Sequence, residues 1–230
     1  NGTANPYYVR FAPNGTTSVL AYAMSQAPTF FSLWIGNNDV LGYATSGGDG
    51  TNPITPASGA AGVGFDGTYA ALVNTLTSTG AKGVVANIPY VTSIPFFKTV
   101  PYNPLTASAI GKGNATQGTA LISALNTQLY GPLKQALTAF GAGSRINLLS
   151  TTAANPLLIK DESLTNLSAQ LTIAFTPTLG AQTAAFYGNV FGQARQATAT
   201  DLILLTTQSA IGTAPTTANS GIGIAPPAPL

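Results

Sequence analysis

Apolar and polar positions alternate along the chain in a way that separates helices from strands. From Ser18 to Gln26 the residues Val19, Leu20, Tyr22, Ala23 and Met24 recur at the spacing of a short amphipathic helix, closed before Pro28. Phe30 to Ile35 is a nearly unbroken apolar run, the pattern of a strand buried in a sheet, with Trp34 expected in the core. It runs directly into the polar turn Gly36-Asn37-Asn38-Asp39. Residues 42 to 64 are dense in Gly, Thr, Pro and Ser without periodicity, which reads as a long loop of functional or mobile character. Asp66 then offers a capping oxygen to a helix carrying Tyr69, Leu72, Val73 and Leu76, with Gly80 as its stop.

Lys82 to Pro89 reads as a second apolar strand. Strand, helix, strand in this order implies a crossover and a parallel sheet, so the fold class is α/β. Pro89 to Pro104 interleaves Tyr90, Phe96, Phe97 and Tyr102 with prolines, an aromatic loop expected at the same carboxyl edge of the sheet as Asn38. Gly118 to Phe140 carries a leucine stripe, Leu121, Leu125, Leu129, Leu133 and Leu137, that Pro132 should kink or split before Gly141 ends it. Short strands are expected at Arg145–Ser150, Pro156–Ile159 and Asp201–Thr206, and a helix capped by Ser163 with Leu164, Leu167 and Leu171 on one face. The Pro-rich stretch 221–230 reads as extended. Nothing in the length forces more than one domain, and both ends read as internal to a longer polypeptide.

Ligands in open α/β sheets bind outside the carboxyl ends of the strands, which places Asn38 where chemistry is expected. The block Gly36-Asn37-Asn38-Asp39, set after Phe31-Ser32-Leu33-Trp34-Ile35, resembles the SGNH or GDSL hydrolases. The stretch from Trp34 to Tyr43, with Asn87-Ile88-Pro89-Tyr90-Val91-Thr92-Ser93-Ile94-Pro95, looks like a subgroup found in exported bacterial lipoproteins. The resemblance implies a flavodoxin-like, three-layer fold and an esterase or lipase acting on an acyl or acetyl ester, including an acylated glycan. It also implies that Asn38 donates an amide N–H to the oxyanion of a tetrahedral intermediate, with Gly36 and Asp39 shaping the turn. A neutral amide suits that task because it points a donor at developing negative charge without titrating. Asp39 reads as structural, its carboxylate accepting from backbone N–H groups of the turn or of a helix starting at Val40. Gly36 reads as a backbone conformation or a close approach that a side chain forbids.

Composition limits what these residues do alone. There is no histidine and no cysteine, so neither an imidazole-activated serine nor a thiolate nucleophile is built from this chain. The family's Gly-Asp-Ser-Leu, second-Gly and Asp-x-x-His blocks are absent. Metal ligands reduce to six scattered carboxylates, and neither a transition metal nor another cofactor is expected. Asp161, Glu162 and Asp201 suggest at most a glycosidase pair, for which the sequence shows no convergence.

Charged residues make up 6% of the chain, against roughly 25% in ordinary usage, which favours an exported or cell-surface protein. A net charge of +2 without basic runs argues against nucleic acid, and no apolar run approaches the roughly 20 residues of a membrane span. Partners at a surface or in a membrane complex are left open. Asn1, Asn14, Asn114 and Asn166 stand in Asn-x-Ser/Thr triplets, and chance explains these in a chain so rich in Asn and Thr. The competing class is a non-catalytic surface, assembly or glycan-binding protein on the same scaffold. An all-β adhesin is a weaker third reading, opposed by the leucine stripe.

Overall fold

The computed structural model describes residues 7–47 and 52–211 and shows a mixed α/β chain in which helix outweighs strand, contrary to the all-β reading. The chain divides into two compact units, residues 1–91 and 92–230.

In the first unit, helix α1 (Val19–Ser25) starts at Ser18, whose Oγ accepts from the Ala21 N–H. Strand β1 (Phe30–Leu33) pairs in parallel with β2 (Lys82–Val85), Phe30 opposite Lys82 and Leu33 opposite Val85. Between them lie α2 (Asn37–Thr45) and α3 (Phe65–Thr77). Both strands are shorter than the apolar runs suggest. Trp34 follows β1 and is 58% exposed, which corrects its expected place in the core. Phe30, Val84 and Val85 are more than half exposed as well, so this two-stranded sheet buries little on either face. Gly83 is required where it stands, since a β-carbon there would run into the Phe31 ring across the strand pair.

Asp66 does not cap α3. Gly64 occupies that position, and Asp66, one residue inside the helix, accepts from the Gly59 and Gly67 N–H groups. That choice ties down the loop ahead of the helix. Phe65 and Asp66 N–H groups donate to the Pro56 and Ala57 carbonyls, and the Gly62 N–H donates to Thr68 Oγ1. Residues 52–64 therefore lack regular structure yet are bonded along their length. Residues 48–51 of the same loop lie outside the described residues.

The second unit holds the larger core. Helix α4 (Ala107–Ile110) precedes α5 (Ala115–Leu125), a π-helical turn (Asn126–Tyr130) and α6 (Gly131–Ala139). Pro132 has no N–H to continue an α-helical ladder, and just before it the helix widens without interruption into a π turn, with the Gly131 N–H reaching back five residues to the Asn126 carbonyl. Leu125, Leu129, Leu133 and Leu137 are spaced by four, a period that drifts by about 40° per step in an α-helix. The wider π turn takes up that drift, and all four are buried. Asn126 fixes the turn by donating to the Leu149 carbonyl and accepting from the Leu149 N–H, each at 2.8 Å. Gly141, at φ 73°, ends the segment in the left-handed region.

Residues 146–150 form no strand; a 3-10 turn at Gly143–Arg145 leads into them. Strand β3 (Leu158–Lys160) pairs antiparallel with β4 (Ala194–Gln196). Helix α7 (Ser168–Phe191) begins five residues after Ser163, which is no cap but donates its Oγ–H to Asp161; Leu167 stands at the cap position without a side-chain bond, and Asn166 before it accepts from the Ser168 N–H. Pro177 and Gly180 (φ 75°) break α7 in the middle, and its halves fold back on one another. Gly188 lies so close to Ser168 and Thr172 that a β-carbon would overlap the Ser168 carbonyl and Thr172 Oγ1. Replacing Gly188 with valine should lower the urea midpoint by the equivalent of about 1–3 kcal/mol with an unchanged slope. An unchanged midpoint would show that the two halves have room to part.

The stretch Asp201–Thr206 is not a strand either. Only Ile203 pairs, in an isolated bridge to Val100, before a 3-10 helix at Leu205–Ala210. Asp201 is held by Arg195 and the Leu202 side chain is exposed, so Ile203 is the one member of the run that is buried, against Val100, Leu105, Leu157 and Ala197. The expected extended stretch 221–230 lies outside the described residues.

Candidate functional site

Gly36 sits at the junction of β1 and α2 with φ 95°, a left-handed conformation that non-glycine residues rarely adopt. A β-carbon there would also meet Ile88 Cδ1 at 2.9 Å and the Phe65 ring at 3.0 Å. This glycine lets the chain turn sharply from the carboxyl end of a parallel strand into a helix. Asn37, Asn38 and Asp39 become the first turn of that helix, and their side chains are placed by it.

The three side chains have different fates. Asn37 is half-buried, and its Oδ1 is shut away from solvent with no hydrogen-bond donor among the described residues. Asn38 is exposed, and its carboxamide has no hydrogen-bond partner among the described residues. Asp39 is bonded outward to the following loop: one oxygen, Oδ1, accepts from the Thr55 N–H at 2.8 Å and from the Thr55 hydroxyl at 2.6 Å. Those two bonds, the hydroxyl first, hold the Asp39 carboxyl below the usual carboxylate range. The expected bonds to its own turn are replaced by this longer reach. Thr55 is absent from any sequence-based list because sixteen residues separate it from Asp39, and only the folded loop brings them together.

The aromatic loop divides between the units. Tyr90 belongs to the first and is 87% exposed. Phe96, Phe97 and Tyr102 belong to the second, where Phe97 is buried edge-on to Phe96 at 5.2 Å.

The carboxylates suggested for glycoside chemistry do converge, but on an arginine. Arg195 on β4 donates from Nε to Asp161 at 2.7 Å and in two-pronged fashion to Asp201 at 2.7 and 2.8 Å. Hydrogen bonds from Ser163 and Arg195 lower the Asp161 carboxyl, and those from Arg195 and Thr198 lower Asp201. A general acid for glycoside cleavage needs a raised value. Glu162 is exposed and pairs with Lys160 at the surface.

Among the described residues there is no group of His, Cys, Asp and Glu able to hold a metal ion. No helix among them is long and apolar enough to cross a membrane. The carboxamides of Asn14, Asn114 and Asn166 are engaged as local acceptors, and Asn1 lies outside the described residues. Comparison with protein-family models, with curated proteins and with solved structures gave no match.

Proposed function

We propose that these residues belong to an exported or surface-anchored serine ester hydrolase of SGNH type, in which Asn38 is an oxyanion donor. The observation that carries the reading is the division of labour in the α2 first turn. Gly36 makes the turn, Asp39 anchors the loop, and Asn38 is left exposed beyond the carboxyl end of a parallel strand with its amide donors unspent among the described residues. An asparagine serving only to close the turn would be bonded to its own backbone. The helix N-terminus adds a positive partial charge where an oxyanion would form.

In the proposed reaction a serine hydroxyl attacks the ester carbonyl while a histidine takes its proton. The carbonyl oxygen gains the charge and accepts from Asn38 Nδ2 and from backbone N–H groups. The intermediate collapses, the alkoxide leaves with the proton held by histidine, and water repeats the sequence on the acyl-enzyme. The chain has no histidine, so the proposal places the serine, its base and the flavodoxin-like remainder of the sheet in polypeptide flanking these residues.

The test is covalent labelling of the full-length polypeptide with a fluorophosphonate, followed by peptide mapping. One modified serine outside the 230 residues is expected, with loss of p-nitrophenyl acetate hydrolysis in proportion to labelling. A full-length polypeptide that neither labels nor hydrolyses any acyl or acetyl ester would leave the scaffold as a non-catalytic binding module.

A further inference from the structure

We infer that Thr55 is a positioning residue for Asn38, acting through Asp39, so that the Gly- and Thr-rich loop sets the aim of the oxyanion donor; this rests on the esterase reading above. Asp39 follows Asn38 on the same helical turn, and any rotation of that turn carries both. Its carboxylate is gripped by two donors of one residue, the Thr55 N–H and hydroxyl, converging on a single oxygen at 2.8 and 2.6 Å. A single bond leaves a carboxylate free to swing, whereas two from one rigid, β-branched residue fix both its direction and its distance.

Thr55 in turn stands on a loop with little freedom. Downstream of it, the bonds to Pro56, Ala57, Gly59 and Gly62 join the loop to the first turn of α3. On the helix side, Gly42 of α2 lies against Pro53, where a β-carbon would come within 3.3 Å of its ring. The α2 N-terminus is thus referenced to α3 through a short, fully bonded path that includes Thr55. Catalysis by a neutral amide is sensitive to such aiming, because a displacement of about 1 Å can cost on the order of a hundredfold.

The experiment uses the full-length polypeptide with p-nitrophenyl acetate as substrate and phenylboronic acid as the tetrahedral analogue. Thr55→Val keeps the N–H and the shape but removes the hydroxyl. It should lower kcat by about tenfold, leave KM unchanged and weaken boronate inhibition by the same factor. Thr55→Ser should restore all three. In an Asn38→Ala background, Thr55→Val should cost nothing more, because its effect passes through the missing amide. Circular dichroism checks that each variant folds, with Thr55→Ala as the second variant if valine disturbs packing. Full turnover in Thr55→Val, or a further tenfold loss on top of Asn38→Ala, overturns the inference while leaving the oxyanion role intact. Wild-type turnover in Asn38→Ala alone overturns both.

Discussion

Replacing Asn38 with alanine in the full-length polypeptide should lower ester turnover by about two to three orders of magnitude, the usual cost of about 2.7–4 kcal/mol for one oxyanion donor. The same change should leave stability intact or slightly improved. Asn38 is exposed, its carboxamide bonds to nothing among the described residues, and alanine is the better helix former at an exposed helical position. Activity and stability then move in opposite directions, which general damage does not produce. Asn38→Asp should be at least as inactive as alanine, because a carboxylate places negative charge where the proposed oxyanion would form. Steady-state kinetics beside a thermal melt decide the matter. Unchanged turnover, or a loss of activity that tracks a loss of melting temperature, would remove Asn38 from the mechanism.

The second large effect concerns the Arg195 cluster. Replacing Arg195 with leucine leaves Asp161 and Asp201 without the guanidinium that three short bonds hold between them. The three side chains are only 19–25% exposed, so the loss is discounted less than at an open surface, and about 2–3 kcal/mol is expected near neutral pH. The sign of the pH dependence follows from the lowered carboxyls. A group whose folded value lies below its unfolded value stabilises the fold above the unfolded value, here near 3.8, and loses that contribution as pH falls through the folded one. The gap between parent and variant should therefore be widest above about pH 5 and close toward pH 2. Urea titrations across that range measure it. A gap that stays constant with pH, or one below about 0.5 kcal/mol at neutrality, would reduce the cluster to surface decoration.

How much was legible in the sequence depended on whether a feature is local. Helix α3 and the Gly80 stop follow from apolar spacing and a left-handed glycine at φ 85°, both short-range properties. The leucine stripe and the disturbance of the ladder at Pro132 are legible for the same reason, although the helix widens there and does not split. The π turn is not, although the strict spacing of four was its trace. Strand lengths were overestimated, because an apolar run shows appetite for burial and not whether a second layer supplies it. Trp34, Val84 and Val85 remain exposed on that account. The folded-back α7 is not legible, because its facing halves set the polar Ser168 and Thr172 against Gly188 and Gly192, leaving no amphipathic period to read. The Arg195 cluster beside the β3 and β4 pair is not legible, because its partners lie six and thirty-four residues away. At the site, Gly36 and Asn38 are motif residues and visible as such, whereas Asn37 and Thr55 gain meaning only from what surrounds them.

Among the described residues, three helix beginnings are capped by side chains, Ser18, Thr106 and Asn114, none of which ionises in water. Acid cannot unfasten them. Protonation instead reaches the tethers built on Asp39, Asp161 and Asp201, which hold loops or hairpins in place. An acidified sample would thus keep these three starts fastened while the tethered connections slacken, and the Asp39 fastening would release the reach of chain nearest the amide on which catalysis is proposed to depend.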